Sequence, residues 1–141
     1  MANMRQLHIV YIVDKDASVR RSLMRIMSAN GLEARCFASM HQLLDEITPM
    51  KNGCVVLDMS LSTAMEMQLK TRLAEMKSNI PIIATSVRDD PTVREDAHRI
   101  GAKFFLTKPV DNQALLDAIA WVVETMNDQD DTKSDQNDQV D

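Results

Sequence analysis

The sequence predicts an α/β protein in which a five-stranded parallel sheet is covered by helices on both faces. Three observations lead to this fold class. Short apolar runs alternate with amphipathic stretches, the apolar residues of each amphipathic stretch recur at helical spacing, and a glycine stands just before three of the strand candidates. Strands that alternate with helices in this way are typical of a parallel sheet that is buried on both sides.

The individual elements follow from these runs. The strand candidates are His8 to Val13, Glu33 to Phe37, Cys54 to Asp58, Ile82 to Ser86 and Lys103 to Leu106. The predicted helix faces are, in chain order, Val19, Leu23, Ile26 and Met27; Met40, Leu43, Leu44 and Ile47; Met65, Leu69, Leu73 and Met76; Val93, Ala97 and Ile100; and Leu115, Ile119, Val122 and Met126. Gly31, Gly53 and Gly101 precede strands, where a helix must end and the chain must turn. No glycine is then left for a phosphate-binding loop.

Length and charge indicate one domain and one acidic segment. The chain has 141 residues, enough for one compact core but too few for two ordinary domains. Residues 127–141 carry six of the 21 acidic residues and one of the 16 basic ones, so the net charge of −5 lies in that segment. We therefore expect a domain over residues 1–126, followed by a solvated, disordered segment over residues 127–141.

Composition disfavours several classes of function. Residues 1–126 are electrically neutral, so they offer no basic excess for binding nucleic acid. The sequence has no apolar run long enough to cross a membrane and no apolar signal-peptide core, which predicts a cytoplasmic protein. Cys36 and Cys54 lie in apolar runs without metal-binding or redox spacing, so we expect buried, reduced thiols.

Polar residues stand at the ends of four of the predicted strands. Ligands of an open parallel sheet bind beyond the carboxyl ends of its strands, so residues at those ends are site candidates. These residues are Asp14 and Lys15 after the first strand, Asp58 at the end of the third, Ser86 at the end of the fourth, and Lys108 and Pro109 after the fifth. Convergence of these carboxylates, lysines and hydroxyl favours a functional site. The alternative is that the acids cap helices and the lysines neutralise them.

Four stretches in register carry a resemblance to a known family. They are Val10–Asp14, Val55–Asp58, Ile80–Ser86 and Gly101–Val110, and the separations among Asp14, Asp58, Ser86 and Lys108 match the family pattern without a gap. Over residues 8 to about 126, the chain resembles the receiver domains of bacterial response regulators, in particular the FixJ type. The resemblance implies the flavodoxin-like, CheY-like receiver fold with strand order 2-1-3-4-5.

The resemblance also implies a role for each matching residue. Asp58 matches the aspartate that accepts a phosphoryl group from a histidine kinase or phosphotransfer protein. Ser86 and Lys108 match the hydroxyl and the ammonium group that bind the phosphoryl oxygens. The remaining matches are Pro109 with the proline that usually follows a cis peptide bond, Phe105 with an aromatic switch residue, and Asp14, Asp58 and the backbone carbonyl of Ser60 with the ligands of Mg²⁺.

The chain departs from the family pattern at three positions. Lys15 stands where the second acid of the Mg²⁺-binding pair is expected, so we expect Mg²⁺ to bind weakly or not at all and phosphoryl transfer to be slow. Either the Lys15 ammonium group fills the place of the metal, or it turns to solvent. Asp16 lies in the next loop and is a poor substitute for the lost acid. Ser62 and Glu66 replace a usual proline and glycine, which predicts an altered loop after Asp58.

Two functions remain open from the sequence. The first is a single-domain response regulator of a two-component phosphorelay, phosphorylated on Asp58 and acting through protein contacts. The second is a pseudo-receiver, a phosphorylation-independent interaction module. An enzyme on the same fold, such as a flavin-binding one, is disfavoured because the chain has no phosphate loop and only five aromatic residues. The resemblance implies that helix 4, strand 5 and helix 5 meet a downstream protein, with Trp121 as an anchor or a local packing residue, and it allows a homodimer.

Overall fold

A computed structural model describes residues 9–46, 53–60, 67, 68, 70–72, 75 and 80–125. Its strands are β1 (Ile9–Val13), β2 (Glu33–Phe37), β3 (Gly53–Asp58), β4 (Ile82–Ser86) and β5 (Ala102–Thr107). Its helices are α1 (Ala17–Ala29), α2 (Met40–Glu46), α3, described at residues 67, 68, 70–72 and 75, α4 (Pro91–Arg99) and α5 (residues 112–125).

The five strands form one parallel sheet in the order β2-β1-β3-β4-β5, which confirms the predicted fold class and strand order. The predicted bounds of β2 and β4 agree with the structure. β3 begins one residue earlier than predicted, at Gly53, and β5 extends one residue further at each end. His8, predicted to begin the first strand, lies outside the described residues.

Successive side chains of the central strands point to opposite faces of the sheet, which divides the core into two layers. On one face, β1, β3 and β4 pack against α2 and α4, whose buried residues include Met40, Leu43, Val93 and Ala97. On the other face, Val10, Ile12 and Val56 pack against α1 and α5. The helices therefore cover both faces of the sheet, as the sequence predicts.

α1 is less buried than its apolar spacing suggests. Met27 is fully buried, whereas Val19, Leu23 and Ile26 remain partly exposed. The reason is a groove between α1 and α5, described below, into which these three side chains project.

Local sequence explains where the helices begin. The carboxylate of Asp16 accepts hydrogen bonds from the backbone of Ser18 and Val19 at the start of α1. Asp90 does the same for Val93 in α4, where Pro91 supplies a fixed φ in the first turn. Asp111 accepts a hydrogen bond from the backbone of Ala114 at the start of α5.

Some predictions fall on residues that the structure does not describe. These are the face of the third helix (Met65, Leu69, Leu73 and Met76), the altered loop that contains Ser62 and Glu66, the helix positions Ile47 and Met126, and the acidic segment 127–141. No helix within the described ranges combines the length and apolar character that a bilayer crossing requires.

The two cysteines differ in burial. Cys54 lies in the central strand β3 and is fully buried, whereas Cys36 lies in the edge strand β2 and is only half buried. Both thiols are free, as predicted, but the prediction that both are buried is wrong for Cys36. An edge strand has a neighbour on one side only, which explains the exposure.

Candidate functional site at the carboxyl edge of the sheet

Strand register brings the predicted site residues to one edge of the sheet. Asp58 pairs with Thr85, and Ser86 pairs with Thr107, so the ends of β3, β4 and β5 lie level. Beyond β5, the backbone amide of Lys108 donates a hydrogen bond of 2.7 Å to the carbonyl oxygen of Ser86. Four residues that are distant in sequence, Asp14, Asp58, Ser86 and Lys108, therefore stand beside one another.

Asp14 is almost completely buried, with 3% of its surface exposed. Its carboxylate Oδ1 accepts a hydrogen bond of 2.9 Å from the backbone amide of Asp16, and its backbone carbonyl accepts one of 2.7 Å from the Arg20 guanidinium group. These contacts fix the orientation of the carboxylate, and its second oxygen is directed at Lys108.

The ammonium group of Lys108 bridges the two buried acids. Its Nζ lies 2.6 Å from Asp14 Oδ2 and 3.4 Å from Asp58 Oδ1. The Lys108 side chain is itself largely buried, so solvent screens these ion pairs little. The peptide bond between Lys108 and Pro109 is cis. One cation thus stabilises two carboxylates that would otherwise repel each other.

Asp58 is held by Ser60 in a way that the sequence analysis missed. The Ser60 hydroxyl donates a hydrogen bond of 2.7 Å to Asp58 Oδ2, and the Ser60 amide donates one of 3.2 Å to Asp58 Oδ1. The resemblance drew attention only to the Ser60 carbonyl. The spacing of Asp58 and Ser60 could have predicted these contacts. A serine two residues after an aspartate is common in turns where its amide and hydroxyl donate to the carboxylate.

Ser86 lies buried at the end of β4, the strand beside β3, which ends in Asp58. The Ser86 hydroxyl oxygen accepts a hydrogen bond of 2.9 Å from the backbone amide of Arg88. A hydroxyl group can accept and donate at the same time. Its hydrogen therefore remains able to turn toward an anion bound at the edge of the sheet.

Lys15 is exposed to solvent, unlike its neighbour Asp14. Within the described part of the chain, Lys15 forms no ion pair, and the ammonium group that contacts Asp14 and Asp58 belongs to Lys108. Of the two conformations considered for Lys15, the structure has the one in which the side chain turns to solvent.

The Asp16 carboxylate is engaged at the start of α1. It accepts hydrogen bonds from the hydroxyl and the amide of Ser18 and from the amide of Val19. These contacts, the Ser18 hydroxyl first among them, lower the pKa of the Asp16 carboxyl group below its usual value. Asp16 thus serves as the N-cap of α1.

Two aromatic contacts lie on the α4, β5 and α5 side of the molecule. Phe105 is partly buried, and the guanidinium carbon of Arg94 lies 4.6 Å from the centre of its ring. The ring of Phe104 meets Trp121 edge-to-face with centroids 5.4 Å apart, yet 52% of Trp121 remains exposed. Trp121 therefore both packs locally and presents an apolar face to solvent.

A groove of about 520 Å³ leads from the buried Asp14 along α1 and α5. Asp14 and Lys108 line its polar end, and its walls are mostly apolar. The apolar lining includes Val19, Leu23, Ile26, Pro109, Val110 and Leu115. Four of these residues, Val19, Leu23, Ile26 and Leu115, belong to the predicted helix faces, and the groove itself was not predicted.

Comparison with known proteins identifies the family. Residues 10–120 match the model of the response regulator receiver domain. The chain therefore belongs to the response regulator receiver domain family, and its fold and the residues at its sheet edge agree with that assignment. Receiver domains are signalling modules rather than classical enzymes, and they interact with histidine kinases or phosphotransfer proteins.

The individual relatives are longer regulators. The chain is 39% identical over 110 residues to the transcriptional regulatory protein TdiR of Thauera aromatica, covering 78% of this chain and 48% of TdiR. It is 36% identical over 116 residues to the nodulation protein W of Bradyrhizobium diazoefficiens, covering 82% of this chain and 51% of that protein. The chain thus spans about half the length of these relatives.

Solved structures give the same result. The response regulator StyR superposes with a TM-score of 0.76 at 31% identity, covering 92% of this chain and 66% of StyR. A response regulator receiver protein from Burkholderia phymatum superposes with a TM-score of 0.70 at 31% identity, covering 83% of this chain and 95% of that protein.

Receiver domains typically bind Mg²⁺ at this acidic edge. A resident Mg²⁺ ion requires near-octahedral oxygen ligands, and the buried carboxylates of Asp14 and Asp58 are the candidate ligands here. Lys108 already contacts both buried carboxylates, and Asp16 is engaged by α1. Among the described residues, no group of three or more acidic, histidine or cysteine side chains is arranged to hold a metal ion.

Proposed function

We propose that the chain acts as a response regulator receiver that accepts a phosphoryl group on Asp58 and works through contacts with other proteins. The observation that carries the proposal is the bridge from Lys108 to Asp14 and Asp58, with the buried Ser86 at the end of the adjacent strand β4. A carboxylate nucleophile, a cation and a hydroxyl donor held at one edge are the groups that phosphoryl transfer by positioning requires.

The transfer takes place in one displacement. A carboxylate oxygen of Asp58 attacks the phosphorus of a phosphohistidine, the phosphorus–nitrogen bond breaks, and the imidazole nitrogen leaves with the electron pair. Lys108 lies close enough to Asp58 to exchange part of its contact with Asp14 for a phosphoryl oxygen. The Ser86 hydroxyl donates its free hydrogen to a second phosphoryl oxygen.

Lys15 weakens Mg²⁺ binding and makes this reaction slower than in receivers with two adjacent acids. Two buried carboxylates are matched by two ammonium groups, Lys108 in contact and Lys15 in solvent nearby. The charge that would attract a divalent cation is therefore largely neutralised. Because the metal normally offsets the charge that develops during transfer, weak binding of Mg²⁺ lowers the transfer rate.

One observation favours a second candidate function, a pseudo-receiver. The Lys108 bridge already satisfies both acids without phosphate or metal. A domain stabilised in this manner can serve as an interaction module whose binding does not depend on phosphorylation.

Two surfaces suit protein partners under either function. The groove between α1 and α5 opens beside Lys108 and has apolar walls, which suits the histidine kinase or phosphotransfer protein that presents the phosphohistidine. The surface of α4, β5 and α5 carries the exposed ring of Trp121, which suits a downstream protein or a second copy of the chain.

Phosphorylation with a small donor tests the proposal. We expect phosphoramidate to add one phosphoryl group to the wild-type chain, detected by intact mass, and hydroxylamine to remove it, as it does from an acyl phosphate. The Asp58→Asn variant should remain unmodified. Asp45→Asn is the matched control, because Asp45 is an exposed acid on α2, and it should be modified like the wild type.

The same experiment separates the two candidate functions. Modification that is lost in Asp58→Asn supports the response regulator. If the wild type takes up no phosphoryl group with or without Mg²⁺, the phosphoryl-acceptor proposal is wrong and the pseudo-receiver is favoured.

A further inference from the structure

The outer face of α1 carries an unusual concentration of positive charge. The helix contains three arginines, Arg20, Arg21 and Arg25, and no acidic residue. Arg21 and Arg25 stand four residues apart, so their side chains lie on the same side of the helix. This face, which we call the arginine face, also includes the exposed side chain of Met24, and it forms a shallow groove with Cys36 of the edge strand β2.

Arg21 and Arg25 differ from the other arginines in their contacts. Arg88, Arg94 and Arg99 form ion pairs with aspartates at 2.5 to 2.9 Å. Arg35 lies 3.9 Å from a carboxylate oxygen of Glu46, Arg72 donates to the Leu44 carbonyl, and Arg20 donates to the Asp14 carbonyl. Within the described residues, Arg21 and Arg25 have neither an ion pair nor a side-chain hydrogen bond.

The chain itself supplies a segment of opposite charge. Residues 127–141 contain six aspartates and one lysine, and they hold the whole net negative charge of the chain. No other segment combines so many acids with so few apolar residues. The arginine face and the acidic segment are therefore complementary in charge.

The acidic segment is long enough to reach the arginine face. α5 is described to residue 125, and its residues Val123 and Glu124 line a cavity together with Leu32, which lies just beyond the end of α1. The last described residues of α5 thus lie near the end of α1, about one turn beyond Arg25. Fifteen residues can extend roughly 50 Å, whereas a helix of 13 residues is roughly 20 Å long.

We propose that residues 127–141 bind the arginine face of α1 within the same chain. The contact is electrostatic. It needs no single set of ion pairs, because different aspartates of the segment can pair with Arg21 and Arg25 in turn. A short tether favours the intramolecular contact by raising the effective concentration of the segment. The contact shields the arginine face from other acidic proteins, and it does not depend on the proposed phosphorylation of Asp58.

Amide NMR spectra of two full-length chains test this proposal. One chain is the wild type, and in the other the six aspartates of the segment are changed to asparagine. We expect the amide shifts of residues 20–28 to differ between the two chains at low salt. The difference should disappear near 1 M salt, where charges are screened within about 3 Å.

A peptide titration identifies the surface. A synthetic peptide of residues 127–141, added to the asparagine variant, should move the amides of residues 20–28 and reach saturation. The changes should be lost when Arg21→Glu and Arg25→Glu are added. They should persist with Lys103→Glu, which reverses an exposed charge on β5, at the opposite edge of the sheet from β2.

Three results would overturn the proposal. The first is identical α1 amide shifts in the wild type and the asparagine variant. The second is a peptide effect that persists after both arginine substitutions. The third is a dependence of the wild-type α1 shifts on protein concentration, which would mean that the acidic segment binds a second copy.

Discussion

The ammonium nitrogen of Lys108 lies 2.6 Å from the carboxylate Oδ2 of Asp14, a residue 94 positions away in sequence. The same nitrogen is 3.4 Å from Asp58, so one lysine stabilises both buried acids at the carboxyl edge of the sheet. Lys15, the residue next to Asp14, is exposed and forms no such contact within the described residues. The two lysines therefore have different consequences for the site, and each can be tested separately.

Removal of the Lys108 charge should destabilise the folded chain. Lys108→Met leaves Asp14 and Asp58 buried and close together without a cation between them. Loss of one partner from a buried ion pair costs several kcal/mol, so we expect the free energy of unfolding to fall by about 3 kcal/mol at neutral pH. Urea denaturation followed by the fluorescence of Trp121 measures the change.

Lys103→Met is the control for this substitution. Lys103 is exposed on β5, and its replacement should change the free energy of unfolding by no more than about 0.5 kcal/mol. Equal stability of Lys108→Met and the wild type would show that the bridge contributes nothing to folding.

Gly53 should tolerate substitution least among the described glycines. Its φ is +150°, and a Cβ atom placed there would lie 2.6 Å from the backbone carbonyl oxygen of Ile9 in the neighbouring strand. We expect Gly53→Ala to lower the free energy of unfolding by about 2 to 4 kcal/mol, because strain and overlap act together. Gly101 has a φ of +86°, but a Cβ atom there would meet open space. We therefore expect Gly101→Ala to lower the free energy of unfolding by only about 1 to 2 kcal/mol. Thermal or urea denaturation measures the stability of both variants. A larger decrease in stability for Gly101→Ala than for Gly53→Ala would contradict this explanation.

The fold could be predicted from the sequence because local signals and burial agree. Apolar runs marked β1, β3 and β4, which are buried over their whole length. The bounds were least accurate for β5, an edge strand that is only partly buried and in which apolar and exposed residues mix.

The site could be predicted only in part. The positions of Asp14, Asp58, Ser86 and Lys108 follow from strand ends, since a parallel sheet brings those ends to one edge. Sequence does not reveal which lysine reaches the acids, because that depends on side-chain direction after the strand. Nor does it reveal the Ser60 hydroxyl contact or the groove beside α1, which arise from loop conformation and from the spacing between helices.

The two thiols should react at very different rates. Burial raises the pKa of the Cys54 thiol to about 12, so little reactive thiolate exists near neutral pH. Burial also raises the pKa of Cys36, but that side chain is half exposed. We expect iodoacetamide at pH 8 to modify Cys36 slowly and Cys54 only after unfolding in urea. Peptide mass mapping distinguishes the sites, and faster modification of Cys54 in the folded chain would contradict its burial.

The cap of α1 should give a defined dependence on pH. Hydrogen bonds, chiefly from the Ser18 hydroxyl, lower the pKa of Asp16 in the folded state below its ordinary value of 3.8. A depressed pKa stabilises the fold above pH 3.8, and this stabilisation is lost as the pH falls through the folded-state pKa. Asp16→Ala should therefore lower the melting temperature at pH 7, and the difference from the wild type should shrink in acid.

Asp16→Asn separates the cap from its charge. Asparagine is also a good N-cap, so this variant should keep most of the stability at pH 7 and should vary less with pH in this range. A difference between Asp16→Ala and the wild type that stays constant down to pH 2 would exclude a contribution from Asp16 ionisation.

The central claim is that Lys15 weakens Mg²⁺ binding at a receiver-type acidic edge, and a Mg²⁺ titration of the wild type and Lys15→Asp tests it most directly. The amide resonances of Asp58 and Ser86 report binding, and beryllofluoride added afterwards reports whether a phosphoryl analogue is accepted. We predict no saturable shift in the wild type at millimolar Mg²⁺. In Lys15→Asp, we predict saturable shifts and an affinity on the order of 100-fold higher, because a positive charge beside the metal becomes a negative one. Equal affinities of the two proteins for Mg²⁺ would contradict the claim.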